Sequence, residues 1–377
     1  MQTNTFFPEI HGNFGFGCMR LPMKDGRVDQ EEFTRMADAF IDAGFNYFDT
    51  AHGYIGGQSE TSIRACVSSR YDRSRFLLTN KLTDNCFETQ EDILPFFRSQ
   101  LELCGVEYFD FYLMHAQNRH NYKKYQRCHA YETAAMLREQ GLVKYFGLSF
   151  HDKAEVLDRI LTEHPEVDIV QIQFNYVDYE DDSVESRQCY EVCEKHGKPV
   201  IVMEPVKGGS LVNLPEEADN VFRSLGGGSN ASYAIRFAAS FPRIAMVLSG
   251  MSNMAQMEDN IASMRDFRPL DEKELEAVSK VCGIFRKSDL IPCTSCRYCV
   301  EQNHCPKGIR IPDLFSAMNA HETFHNWNTK FYYKSVLTDD KHGRASDCIK
   351  CGMCERVCPQ HLPIRALLED VAAVFDK

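Results

Sequence analysis

Asp49-Thr50-Ala51-His52-Gly53-Tyr54 places a carboxylate, an imidazole and a phenol within six residues, just after the apolar run Phe45, Tyr47 and Phe48. Two later runs of the same kind, Phe76 to Lys81 and Phe109 to His115, end in a lysine and a histidine. An acid, a base and a cation brought to one mouth can move protons at a reacting oxygen. That chemistry requires a fold that gathers several strand ends at one place.

A second group of reactive residues fills the C-terminal part. Cys293-x2-Cys296-x2-Cys299 is followed by Cys305-Pro306, and Cys348-x2-Cys351-x2-Cys354 by Cys358-Pro359. In two-cluster bacterial ferredoxins the first three cysteines of such a run hold one [4Fe-4S] cluster and the cysteine before proline holds the other. The pattern assigns Cys293, Cys296, Cys299 and Cys358 to one cluster, and Cys348, Cys351, Cys354 and Cys305 to the second. A zinc ribbon is the competing reading, since Cys-x2-Cys pairs also suit tetrahedral zinc, but it leaves both Cys-Pro pairs unexplained. Five residues separate Cys299 from Cys305, where the usual run has three, so the first loop carries an insertion. Trp327 and Phe331-Tyr332-Tyr333, between the halves, read as packing in preference to an electron path. Cys18, Cys66, Cys86, Cys104, Cys128, Cys189, Cys193 and Cys282 read as buried thiols, although Cys189 and Cys193 share a helix face that could hold a metal.

The chain has 377 residues, 44% hydrophobic and 25% charged, which suits a globular protein with one α/β barrel of about 250 residues and an appendage. A net charge of -12 argues against nucleic-acid and anionic-membrane partners. No signal peptide, transit peptide or apolar span is legible, and sixteen cysteines without a secretion signal point to metal or redox work in the cytoplasm.

The elements that must position these residues alternate. Strands are predicted at Phe14 to Met19, Phe45 to Asp49, Phe76 to Lys81, Phe109 to His115, Lys144 to Ser149, Ile169 to Phe174, Val200 to Glu204 and Ala245 to Ser249. Helical patterns lie between them, including Tyr122 to Gln140 and Val184 to His196, and a further helical stretch runs from Asp271 to Lys287. Eight such repeats predict a (β/α)8 TIM barrel, with its site at the carboxyl ends of the strands. An open doubly wound sheet is the runner-up, but Phe14-Gly15-Phe16-Gly17-Cys18 lacks its glycine fingerprint. The long connection Pro205 to Gly228 is expected to fold over a ligand at the mouth, and a domain boundary is expected near Asp289.

Gly17-Cys18-Met19-Arg20, Asp49 to Tyr54, Thr79-Asn80-Lys81, Met114-His115, Gly147-Leu148-Ser149, Gln171 to Tyr176 and Glu258-Asp259-Asn260 resemble, in this order, the signatures of the aldo-keto reductases. With its tail the chain is similar to the ferredoxin-bearing branch of that family. The resemblance implies a reductase-like barrel over 1–288 and a two-cluster ferredoxin-like domain with a C-terminal helix over 289–377. It implies hydride exchange between a nicotinamide cofactor and a small carbonyl or alcohol. Tyr54 would be the general acid, Lys81 the cation that lowers its pKa, Asp49 the anchor of Lys81, and His115 the residue that orients and polarises the carbonyl.

The resemblance also places Ser149 and Gln171 on the nicotinamide amide and Asn260 at the adenine end. Met203, Pro205, Val206, Gly250 and Gln256 complete the cofactor side. Met203 stands where many relatives stack an aromatic ring, and Ser249 to Met254 lacks a lysine or arginine for a 2'-phosphate. NADH, NADPH and flavin therefore stay open at this point. The clusters pass single electrons, so a flavin or a redox partner protein would be needed if they serve as wires. An electron-transfer protein that uses the barrel as a docking site is the alternative function. Arg119 and His120, in the loop Gln117 to Tyr125, would suit an anionic or hydroxylated substrate, although the favoured reading is a solvated loop.

Overall fold

The computed structural model describes residues 4–285, 290–301, 303–324, 328–338 and 341–376. Asp289, Lys287 and Trp327, named above, lie outside them. The residues group into two compact units, Met1–Val206 with Gly227–Leu275, and Lys207–Gly226 with Glu276–Lys377.

In the first unit eight parallel strands among the described residues close a barrel. They are β1 (Phe14–Gly17), β2 (Tyr47–Asp49), β3 (Leu77–Leu82), β4 (Phe109–Gln117), β5 (Val143–Phe150), β6 (Ile169–Gln173), β7 (Val200–Met203) and β8 (Ile244–Gly250). Neighbours follow chain order, and β1 pairs with both β2 and β8, so the open-sheet alternative is excluded. Both faces of a barrel strand are covered, which is why β2 and β3 are buried at every position.

Strand side chains alternate between the two faces. Tyr47, Phe111, Leu113, Ile169, Ile201 and Leu248 meet in one apolar cluster. Phe7 joins it, edge-on to Phe111 at 5.2 Å and to Tyr145 at 4.8 Å. The interior is full: a Cβ on Gly15 would stand 2.7 Å from Leu248 Cδ2 and 3.0 Å from Tyr47 Cδ1. Two residues beyond a buried position in each strand come Asp49 after Tyr47, Lys81 after Thr79 and His115 after Leu113. The period that fills the core therefore also delivers the polar residues to one end.

Some predicted elements are divided. Tyr122 to Gln140 forms two helices, Tyr122–Arg127 and Ala130–Glu139, because His129 adopts φ 49° and breaks the i to i+4 ladder. The helix predicted from Val184 starts at Ser186, after Glu185 at φ 55°. The connection after β7 holds a helical turn, Lys207–Gly209, and a helix, Glu216–Arg223, and from Lys207 to Gly226 it belongs to the second unit.

The second unit has its own core, with Leu314 and Phe315 beside Ile364, Leu368, Val371 and Phe375 of the last helix, Ile364–Phe375. The i, i+4, i+7, i+11 spacing puts these four on one helix face. Tyr333 is buried and stacks on Phe375 at 4.6 Å, while Phe331 and Tyr332 are exposed. Among the described residues no helix is long and apolar enough to cross a membrane.

Candidate active site and cysteine centres

Lys81 is buried at the carboxyl end of β3 and donates from Nζ to Asp49 Oδ1 at 2.6 Å and to the Thr50 carbonyl at 2.9 Å. Its ammonium also lies 4.9 Å from the centre of the Tyr54 ring. Burial raises the Asp49 carboxyl and lowers the Lys81 ammonium, and the contact between them opposes both shifts. The pair thus holds its charges through each other.

Tyr54 sits on the turn after β2 and is half-buried. Its carbonyl accepts from the backbone of Gly57 at 3.1 Å and Ser59 at 3.3 Å, and its N–H donates to Ala51 at 3.1 Å. Ile55, a β-branched residue, is held at φ 54° beside it, a conformation that costs about 1–3 kcal/mol. The side chain of Ser59 fixes the turn to the barrel by donating to the Cys18 carbonyl at 2.9 Å.

The His115 ring centre lies 6.0 Å from that of Tyr54, and its Nδ1 is 2.8 Å from Thr83 Oγ1. Burial, then the charges of Lys81 and His151, pull its pKa well below the usual histidine range, so the ring is neutral at pH 7. A buried neutral histidine must take up a proton when the chain unfolds. Its contribution is therefore complete above pH about 6.5 and is lost as the pH falls below that value. Between pH 7.5 and 5.5 the unfolding free energy should fall by about 1.4 kcal/mol more for the parent than for His115→Gln, as read by denaturant titration. Equal losses would contradict a neutral buried ring.

At the cofactor side, Ser149 Oγ accepts the backbone N–H of Ala116 at 2.8 Å and keeps its own hydrogen to donate. Ala116, the penultimate residue of β4, has φ 51°. Gln171 is buried, and its Oε1 has no hydrogen-bond partner among the described residues. An orphaned buried acceptor costs about 1–3 kcal/mol, so this one suits a ligand N–H. One donor and one orphaned acceptor fit the two ends of a carboxamide.

Met203 ends β7 half-buried, Glu204 leaves the strand at φ 57°, and Pro205 and Val206 follow. Asn260 Nδ2 donates to Ser249 Oγ at 2.7 Å, and Gln256 Oε1 accepts from Ser252 N at 2.7 Å. The loop after β8 has no cation of its own, but the side chain of Arg20 packs on Gly250: a Cβ there would lie 3.2 Å from it. Glu32 Oε1 accepts from Met254 N at 3.0 Å, which puts a carboxylate at the start of the helix Met254–Arg265.

In the second unit a cavity is lined by Cys293, Cys296, Cys299 and Cys358, the four thiols assigned to one centre. Burial and then the thiols of Cys296, Cys293 and Cys358 push the Cys299 thiol well up, so the four are near enough to repel one another as thiolates. Burial raises the Cys358 thiol, and hydrogen bonding from the backbone of Leu362, Gln360 and His361 opposes that shift. Four thiols around one cavity with amide donors at a sulfur fit a [4Fe-4S] cluster, whose iron charge would reverse the repulsion. Of the other four, Cys354 is raised to about 11 by burial and by Glu355, with Cys348 adding to the shift. Cys305 and Cys348 pack against the same core, and Cys351 is exposed. Cys189 and Cys193 are both buried, and among the described residues no three His, Cys, Asp or Glu side chains form a single-ion site.

Residues 13–282 match the model of the Aldo/keto reductase family. The chain belongs to the aldo/keto reductase family. Residues 292–362 of this aldo/keto reductase match a 4Fe-4S dicluster domain. It is similar to an aldo-keto reductase of Mycobacterium sp. (strain KMS), 32% identical over 38% of this chain and 49% of that protein. The chain thus spans about half the length of the curated Mycobacterium relatives it matches. It is also similar to the uncharacterized oxidoreductase YqkF of Bacillus subtilis (strain 168), 22% identical over 70% of this chain and 90% of that one. The fold matches an aldo-keto reductase of Klebsiella pneumoniae in complex with NADPH, with a TM-score of 0.58 at 18% identity, covering 71% of this chain and 90% of that one. It also matches the holo form of AKR11C1 from Bacillus halodurans, with a TM-score of 0.59 at 21% identity, covering 74% and 95%.

Below the polar mouth this aldo/keto reductase carries a buried network that the sequence does not announce. Glu60 accepts from Asn80 Nδ2 at 2.8 Å and Gln100 Nε2 at 3.3 Å, and its other oxygen is 2.8 Å from His52 Nδ1. The Glu60 hydrogen bond holds His52 above the usual histidine range. Asn80 Oδ1 in turn accepts the N–H of Lys81 at 2.8 Å, so the network fixes the strand end that bears the lysine. Ser59-Glu60 after two glycines reads as an ordinary helix start, and only burial gives the carboxylate this role. Arg119 is forked onto Asp152, Nε to Oδ2 at 2.9 Å and Nη2 to Oδ1 at 2.6 Å, so its charge is directed to a carboxylate.

Proposed function

We propose that the chain is an NAD(P)H-dependent oxidoreductase that interconverts a small carbonyl compound and its alcohol, and that its cysteines carry two [4Fe-4S] clusters. The observation that carries this reading is the convergence of Asp49, Lys81, Tyr54 and His115 at one barrel mouth, with the Gln171 acceptor left open beside Ser149. NADPH is the ligand of the Klebsiella pneumoniae relative.

A bound nicotinamide supplies the hydride. Ser149 Oγ would donate to its carboxamide oxygen, and Gln171 Oε1 would accept from its amide nitrogen. If Thr83 is the donor to Nδ1 of the neutral His115, the imidazole hydrogen is on Nε2, where it would hold the substrate oxygen. Tyr54 gives its phenolic proton to that oxygen as alkoxide charge develops. Two hydrogens of the Lys81 ammonium are taken by Asp49 and Thr50, and the third is left to stabilise the phenolate.

The working division of the chain is a reductase-like barrel over 1–288 and a two-cluster ferredoxin-like domain over 289–377, in the reducing cytoplasm. Cys293, Cys296, Cys299 and Cys358 hold one cluster, and Cys348, Cys351, Cys354 and Cys305 the other. Anaerobically purified protein should oxidise NADH or NADPH when given a panel of aldehydes and ketones, followed at 340 nm. Silence with both cofactors across the panel would turn the reading toward an electron-transfer protein.

A further inference from the structure

Glu60 joins two segments that carry different members of the polar mouth, and it is 0% exposed. On one side its Oε2 lies 2.8 Å from His52 Nδ1. His52 is the second residue of the turn in which the Tyr54 N–H donates to the Ala51 carbonyl at 3.1 Å. On the other side Oε1 accepts from Asn80 Nδ2 at 2.8 Å and from Gln100 Nε2 at 3.3 Å. Those two amides grip the Lys81 backbone at both of its polar groups. Asn80 Oδ1 accepts the N–H at 2.8 Å, and Gln100 Nε2 donates to the carbonyl at 3.0 Å. Gln100 is fixed in turn by the Tyr112 hydroxyl, which donates to Oε1 at 2.7 Å.

A carboxylate only accepts, so the hydrogen it shares with His52 is on Nδ1. Out of water such a group needs donors or a cation around it. The polar groups about Glu60 are His52 from the turn after β2, Asn80 from β3, Gln100 and Cys104 from the helix Ile93–Cys104, Tyr112 from β4 and the thiol of Cys86. Of these, His52 alone can carry positive charge at neutral pH. Its ring is edge-on to Phe96 at 5.2 Å and half-buried, so its proton exchanges with solvent while Glu60 stays inside. The Glu60 hydrogen bond raises the histidine above its usual range. The charged contact is therefore complete below pH about 6.5 and is lost as the pH rises through the higher folded value.

We propose that His52 and Glu60 form a clasp that positions the turn bearing Tyr54 against the strand end bearing Lys81, and that a proton on His52 tightens it. Both are positioning residues, acting through Asn80 and Gln100 on one side and through the turn on the other. The inference rests on the reductase reading, and the two fail differently. Silence toward every carbonyl would overturn that reading, whereas the link from His52 to Lys81 is read without turnover.

The test is a pH titration of the full chain by NMR with isotope-labelled lysine and histidine, beside steady-state kinetics. The Lys81 amide is assigned by its absence from Lys81→Arg, and the His52 ring by its absence from His52→Gln. In the parent both signals should shift with one midpoint, above about 6.5. In Glu60→Gln the His52 ring should titrate closer to 6.5, and the Lys81 amide should lose that inflection. The same variant should lower kcat about ten- to a hundred-fold and leave the cofactor KM near that of the parent, as expected of a misplaced proton donor. If Glu60→Gln does not fold, His52→Gln decides: it keeps an amide donor for Glu60 at a half-buried position but cannot titrate, so the Lys81 amide should lose the inflection there too. An inflection that survives in either variant, or is missing from the parent, overturns the clasp. An unchanged kcat in Glu60→Gln overturns its positioning role.

Discussion

Tyr54→Phe should lower carbonyl turnover by about 10²- to 10⁴-fold, the usual weight of a positioned general acid, and leave cofactor affinity near that of the parent. The turn that carries Tyr54 is held by its own backbone through Gly57, Ser59 and Ala51, so loss of the hydroxyl should not unfold it. Lys81 keeps Asp49 and Thr50 in the variant, and the ring it faces is still aromatic. Steady-state turnover and a fluorescence titration of the cofactor measure the two effects separately. Retention of most of the turnover would remove Tyr54 from the proton path and leave the convergence of the four residues without a catalytic meaning.

The second large effect concerns which cysteines act together. If Cys358 belongs with Cys293, Cys296 and Cys299, then Cys358→Ala combined with Cys348→Ala strikes both centres, and iron should fall from about eight atoms per chain toward none. Cys305→Ala combined with Cys348→Ala strikes one centre twice, and about four iron atoms should survive with one EPR signal. Ligation in chain order predicts the opposite outcome for the two pairs. The shared cavity of Cys293, Cys296, Cys299 and Cys358 favours the crossed result.

The parts legible in the sequence were those fixed by local period and spacing. Strand alternation sets which residues face the barrel axis, and it places Asp49, Lys81 and His115 two residues beyond core positions. Cys-x2-Cys spacing is equally local. What was not legible depends on contacts between distant segments. Nothing in the run Lys207-Gly208-Gly209 marks its lysine as buried against Gln360. Arg119 reads as a loop cation, yet it is claimed by Asp152. Arg20 reaches Gly250 from the other end of the chain. Glu60 becomes a buried hub only because Asn80 and Gln100 meet it. The break at His129 was hidden for a different reason: histidine tolerates φ 49° without the glycine that would have marked the turn.

These roles matter because the proposed function puts a two-electron site and two one-electron centres in one chain. A cluster's place in the cycle is set by its charge environment as well as by its ligands. The barrel chemistry does not depend on this and can be isolated.

The most direct measurement uses NADH or NADPH deuterated at C4, with anaerobic protein and a carbonyl substrate found in the activity screen. Hydride transfer at the barrel mouth predicts that the label arrives on the carbinol carbon of the product alcohol, on one face only, with no loss to solvent. Cofactor oxidation that releases the label to water, or that reduces the clusters while the carbonyl stays unlabelled, would contradict the account.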